Sequence, residues 1–295
     1  MPLRQLIKVN NLKCDPNQTA IGHEDAYETA RRRPIGVFDS GIGGLTVAAA
    51  LRQLLPEEQI FYIGDTARVP YGGKSAQTIE RYSFEISNML LNEGAKIIVV
   101  ACNTASALAV PALQRALGIP VIGVIAPGAA AAVAATRNGR IGVIGTRATV
   151  GSQAYERAIH AINPEVEVVT QACPLLVPLI EEGWLDDPAT AQIIRRYLQP
   201  ILSQKIDTLV LGCTHYPLLR GALEKEVGTG VTLVDSARNC AMEVRSILAA
   251  HGLRAPETAP GGLQVALTDP PVDFLKVAEA SLQLQVGEIQ LRRLG

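Results

Sequence analysis

Ile35-Gly36-Val37-Phe38-Asp39-Ser40-Gly41-Ile42-Gly43-Gly44-Leu45 contains the pattern on which the rest of the chain is built. A short apolar run ends in a carboxylate and a hydroxyl, turns on glycines, and opens into helical spacing over residues 45–55. The same alternation continues downstream. Residues 60–63, 97–101, 121–125, 141–144, 166–170, 208–211 and 231–234 read as further strands. Residues 76–92, 105–117, 151–162, 188–203 and 217–226 read as helices between them. Alternation of this kind predicts an α/β protein with parallel, helix-covered sheets.

The two halves echo each other. Ile35-Gly36-Val37 recurs as Ile141-Gly142-Val143, and Val69-Pro70 recurs as Val177-Pro178. The run ending at Cys102 recurs as the run ending at Cys213. The three offsets, 106, 108 and 111 residues, are nearly equal and fall in the same order. They predict two similar domains related by pseudo-two-fold symmetry. With 295 residues the chain has the length of about two domains. The expected division is a loose extension over 1–33 with a short helix near 24–32, followed by the two units.

Composition narrows the class. The net charge is −1, from 27 basic and 28 acidic residues, and no long block of like charge occurs. That argues against a nucleic-acid or membrane-surface partner, either of which calls for a basic excess. Residues 117–135 carry no charge, but Gly118, Pro120, Gly123, Pro127 and Gly128 break the stretch into strand, loop and Ala-rich helix. Arg4, Lys8 and Lys13 interrupt the N-terminus, so no secretion signal is expected. Five widely spaced cysteines, Cys14, Cys102, Cys173, Cys213 and Cys240, fit a reducing compartment, and the expected location is cytoplasmic.

In open parallel sheets ligands sit beyond the carboxyl ends of the strands. There the sequence puts Asp39 and Ser40, Asp65, Cys102 with Asn103 and Thr104, Thr146, Cys173, and Cys213 with Thr214 and His215. If the two units face each other, two cysteines enter one interdomain cleft. A free thiol near pKa ~8.5 is only about 3 per cent ionised at pH 7. Half ionisation needs roughly 2 kcal/mol, of which a helix terminus supplies about 0.3–1 kcal/mol. A second group is therefore needed, and His215, two residues from Cys213, is the candidate. Asp39 beside Cys102 would raise that thiol instead, and its useful roles are accepting a proton or positioning a substrate ammonium; its structural role would be to cap the glycine turn. Two thiols across a cleft suit removal of a proton from one face of a carbon and its return on the other. The substrate is then a small acid held by Ser40, Thr46, Asn103, Thr104, Thr146 and Thr214.

Rival readings of the motifs are weaker. Gly41, Gly43 and Gly44 do not make G-x-G-x-x-G, and no P-loop lysine follows. Cys213 and His215 lack the further ligands of a zinc site, so neither metal nor nucleotide is expected in the cleft. Cys173 and Cys240 read as small buried hydrophobes.

Taken together, Phe38 through Leu45, Val69-Pro70-Tyr71-Gly72, Ala101-Cys102-Asn103-Thr104-Ala105-Ser106, Cys173-Pro174 with Val177-Pro178 and Glu181, and Leu211-Gly212-Cys213-Thr214-His215-Tyr216-Pro217 resemble glutamate racemases. The resemblance spans residues 34–253. It implies a cofactor-independent isomerase that interconverts L- and D-glutamate and supplies the D-isomer for peptidoglycan. It also implies a first domain of 34–130 completed by the C-terminal segment 241–295, a second domain of 131–240, and a homodimer. Cys102 and Cys213 match the family's acid–base pair, and Asp39, Glu181 and His215 its auxiliary positions. Asp39-Ser40, Tyr71-Gly72, Asn103-Thr104 and Thr214-His215 match its substrate contacts. The long leader is similar to that of members responsive to a UDP-muramyl precursor. Aspartate or hydantoin-type racemases are the nearest rivals, and Ser106 and His215 favour glutamate. A non-catalytic relative that inhibits topoisomerase is the rival from another class.

Overall fold

The computed structural model describes residues 21–270 and 289–293. Two sheets, parallel throughout, organise it. The first contains β1 (Ile35–Asp39), β2 (Gln59–Gly64), β3 (Ile97–Val100), β4 (Val121–Gly123), β9 (Gly262–Leu267) and β10 (Ile289–Leu291), in the order β10-β9-β2-β1-β3-β4. The second contains β5 (Arg140–Gly145), β6 (Glu167–Ala172), β7 (Thr208–Gly212) and β8 (Thr232–Asp235), in the order β6-β5-β7-β8. Stripped of β9 and β10, the first sheet has the same order as the second, so the repeat read from the offsets is a repeat of topology. In both, Ile35 and its counterpart Ile141 sit on the central strand, paired on either side: Ile35 with Ile60 and Ile97, Ile141 with Val168 and Thr208.

Burial explains why the strands read as unbroken apolar runs. Every residue of β1, β3 and β7 is buried, as expected of strands covered on both faces. Edge strand β6 is at best half-buried and correspondingly mixed in sequence.

Helices α2 (Leu45–Leu54), α3 (Ala76–Asn92) and α4 (Asn103–Ala116) cover the first sheet, while α5 (Ile125–Ala135), α7 (Ala154–Ile162) and α9 (Pro188–Leu202) accompany the second. Helix α5 packs along its length on α7, β7 and β8. Helix α11 (Ser236–Ala250), started by Asp235 Oδ1 accepting the Ala237 N–H at 3.2 Å, packs on both α2 and α5 and so bridges the two units. One apolar cluster consequently runs from Ile35 and Leu51 through Leu248 to Leu209 and Tyr216.

Three expectations change. The segment read as one helix over 151–162 is α6 (Arg147–Gly151) and then α7, because Thr146 caps a helix that starts early and Gln153 breaks it in the left-handed conformation (φ 54°). The helix expected from 217 begins as a tight 3₁₀ turn, Tyr216–Leu219, before α10 (Arg220–Val227). And the end of the N-terminal extension is not loose. Helix α1 (Ile21–Arg32) is tied down where Tyr27 Oη donates to the Gly252 carbonyl (2.8 Å) and Arg31 Nε to that of Arg254 (2.7 Å). The buried Lys96 Nζ donates to the Arg31 carbonyl and pairs with Glu58, each at 2.5 Å. Residues 1–20, Cys14 among them, lie outside the described residues. No helix among the described residues is long and apolar enough to cross a membrane.

Candidate active site

In each unit the chain leaves the central strand to one side and returns on the other, which makes a topological switch point between β1 and β3 and another between β5 and β7. Ligands favour such crevices at strand carboxyl ends. Both crevices open on a single cavity of about 230 Å³. That is smaller than the ~300–1,000 Å³ usual for drug-sized ligands and suits a small metabolite.

Cys102, the residue before α4, enters from the first unit, and Cys213, just beyond β7, from the second. Both are nearly buried. The Cys102 thiol donates to Ser40 Oγ at 3.7 Å. Burial, reinforced by the charge of Asp39, pushes Cys102 up to about 12, against the pull of the Ala105 N–H and the Ser40 hydroxyl. Cys102 therefore rests as a thiol. Cys213 Sγ lies 3.8 Å from His215 Nδ1, and His215 Nε2 lies 3.3 Å from Glu181 Oε1 at the end of α8 (Leu176–Glu181). Burial works against a charged His215, yet hydrogen bonds to Cys213 and Glu181, with the charges of Cys213 and Asp39, push it up to about 10. The ring keeps its proton at neutral pH.

Hydroxyls and one amide knit the units together around the thiols. Thr104 Oγ1 is 3.0 Å from Thr146 Oγ1 and 3.2 Å from Thr149 Oγ1. Tyr155 Oη donates to Asn103 Oδ1 at 2.7 Å, which leaves Asn103 Nδ2 buried without a protein acceptor among the described residues. A buried donor left open at a cavity wall is a place for a ligand oxygen. Gly43 and Gly72 let the walls meet. A Cβ at Gly43 would come within 2.5 Å of His215 Nδ1, and one at Gly72 within 2.8 Å of Thr146 Cβ.

Of the residues singled out in the sequence, Ser40, Tyr71, Gly72, Cys102, Asn103, Thr104, Thr146, Glu181, Cys213, Thr214 and His215 all line the cavity. Asp39 does not. It is fully buried one layer behind, where its Oδ2 accepts the Gly41 N–H (3.0 Å) and its Oδ1 the Thr214 hydroxyl (3.3 Å). Burial raises its carboxyl above the ordinary range, opposed by the charge of His215 and the N–H groups of Gly41 and Gly44. Cys173, placed at a strand end by the sequence and expected to be a buried hydrophobe, is buried in the core and also reaches the cavity wall. Gly73 and Arg147, the latter exposed at the rim, were not singled out. Their signal was position alone: one directly follows the Tyr71-Gly72 turn, the other the capping Thr146.

Comparisons with known proteins place the chain in a family. The model of the Asp/Glu/Hydantoin racemase family matches residues 45–244. A glutamate racemase of Geobacter metallireducens is 51% identical over 257 residues, covering 87% of this chain and 95% of its own. Among solved structures, glutamate racemase from Bacillus anthracis superposes with a TM-score of 0.86 at 42% identity, covering 90% of this chain and 98% of that one. The Francisella tularensis enzyme, solved in complex with D-glutamate, gives 0.83 at 38% identity over the same shares. The chain thus belongs to the Asp/Glu/Hydantoin racemase family, within its glutamate racemases.

Proposed function

We propose that the chain interconverts L- and D-glutamate by two-base proton transfer at the α-carbon, with Cys102 and Cys213 as the two bases and no cofactor. The observation that carries this reading is the entry of one thiol from each unit into a single small cavity walled by hydroxyls. In one direction a Cys213 thiolate takes the α-proton and the Cys102 thiol returns a proton to the opposite face. The reverse direction exchanges the roles, and each turnover leaves the sulfurs in the state the other enantiomer needs. His215 and Glu181 form a relay from Cys213 toward solvent, since the Glu181 side chain is 35% exposed. Asp39 acts through Thr214 and the glycine turn rather than by touching substrate. The substrate carboxylates fall to Ser40, Asn103, Thr104, Thr146, Thr214 and the Tyr71-Gly72 turn, whose N–H groups and hydroxyls bind anions without a basic cluster.

The same reading includes supply of D-glutamate for peptidoglycan, a cytoplasmic homodimer, and a response to a UDP-muramyl precursor. The last has support from an Escherichia coli relative, 31% identical with a TM-score of 0.70, which was solved with L-glutamate and the activator UDP-MurNAc-Ala. For domain organisation the reading takes 34–130 plus 241–295 as the first unit and 131–240 as the second.

The test is racemisation of D-glutamate and D-aspartate by purified protein without additives, followed by circular dichroism, with and without chelator. Turnover of D-glutamate, indifferent to chelator, is expected. Faster turnover of D-aspartate would end the glutamate assignment.

A further inference from the structure

Asp65, the residue after β2, is fully buried although it touches neither thiol and lines no part of the cavity. Its Oδ2 accepts from Arg68 Nε at 2.7 Å and from the hydroxyl of Tyr71, and its Oδ1 accepts from Thr268 Oγ1 at 3.1 Å. Tyr71 is the only one of these partners in the cavity wall. Its ring lies 5.8 Å from that of Tyr82, and the Arg68 guanidinium covers the Tyr82 ring at 3.9 Å. Thr268 follows β9, and there the Ala67 N–H is accepted by Thr268 Oγ1 (2.9 Å) and the Asp269 N–H by Thr66 Oγ1 (2.8 Å). One carboxylate thus fastens the loop of residues 65–73 to itself, to α3 through the aromatic stack, and to the end of β9.

The repeat shows that the fold does not require a carboxylate here. Cys173 follows Asp65 by 108 residues, the spacing at which Val177-Pro178 follows Val69-Pro70, and it occupies the matching position after β6. There a thiol suffices. A buried carboxylate is costly unless it is fully hydrogen-bonded, and charge-assisted bonds of this kind hold geometry firmly. On the opposite wall, Gly72 already meets Thr146 so closely that no Cβ fits between them. A small drift of the Tyr71-Gly72 turn would therefore change the width of the cavity.

We propose that Asp65 is a positioning residue for the racemase reaction, holding Tyr71 so that the Tyr71-Gly72 turn keeps the substrate-binding wall in register with Thr146. The role acts through Tyr71 and concerns binding of either enantiomer, and it rests on the racemase reading above. Wild-type protein assayed alongside separates the two: an inactive wild type removes that reading, whereas an active wild type with an unaffected variant removes only this role.

The experiment measures kcat and KM in both directions for Asp65→Asn, Tyr71→Phe and the double variant, with thermal melting of each. Expected is a KM about tenfold higher for both enantiomers in Asp65→Asn, with kcat within about threefold of wild type. Tyr71→Phe reproduces most of that rise, and the double variant is no worse than the worse single. A KM within twofold of wild type in Asp65→Asn, or effects that multiply in the double variant, would overturn the proposal. Should Asp65→Asn fail to fold, Tyr71→Phe alone decides, because it removes one oxygen from the same pair: a raised KM supports the role and an unchanged KM refutes it.

Discussion

Cys102 and Cys213 share a cavity but not a surrounding. Behind one stands a buried carboxylate, behind the other an imidazole in contact with a half-exposed carboxylate. Cys102→Ser and Cys213→Ser should each abolish racemisation while leaving exchange of the α-hydrogen with D₂O confined to one enantiomer, a different one in each variant. Equal residual exchange of both enantiomers in either variant would refute distinct roles. His215 adds a pH signature. Burial alone would depress it, yet its partners hold it at about 10 against 6.5 for the free side chain, so the folded state binds the proton more tightly. Its contribution to stability is complete below about 6.5 and is lost as pH rises toward about 10. In His215→Asn the urea midpoint should therefore fall less than that of wild type between those pH values; parallel curves would show that the ring is not protonated in the fold.

Gly43 sits on the turn between β1 and α2, and its missing side chain is filled by the imidazole of His215 from the other unit. Gly43→Ala should push that ring away from Cys213 and lower kcat/KM at least tenfold. The equilibrium constant between mirror images is one, so the fall must be the same in both directions, and unequal falls would expose an artefact of the assay. Capping is testable on its own. Asp187, exposed at the start of α9, accepts the Ala189 N–H at 2.7 Å, so Asp187→Ala should cost about 1 kcal/mol by urea unfolding without touching activity. Elements of this sort were legible in the sequence wherever local chemistry sufficed: β1, β3, β5 and β7 as apolar runs, α3 and α9 as segments of helical spacing, the two cysteines at equivalent ends. What was not legible depended on distant partners. The stretch Gly262–Leu267 becomes a strand by pairing with β2, some two hundred residues away, and α11 owes its place to α2 and α5 on different sheets. The exclusion of Asp39 from the cavity was also invisible, because nothing in Asp39-Ser40 says which of two adjacent polar side chains faces inward.

At the scale of the molecule the bridging helix makes the two units share one apolar core. Urea unfolding should then be a single transition, with fluorescence of Trp184 in the second unit and far-UV circular dichroism of the whole chain giving the same midpoint. Leu248→Ala, fully buried on α11, should lower stability by about 2–5 kcal/mol and move both probes together; separated midpoints would show that the units unfold independently. The repeated strand order reaches further. A half-length ancestor carrying one sulfur at its crevice would, on pairing with itself, present a left and a right arm to a flat carbanion, and joining the copies end to end would free each arm to diverge. Imidazole on one side and buried carboxylate on the other would then be that divergence, and with it would come any bias in how fast each hand of the amino acid is consumed at saturation.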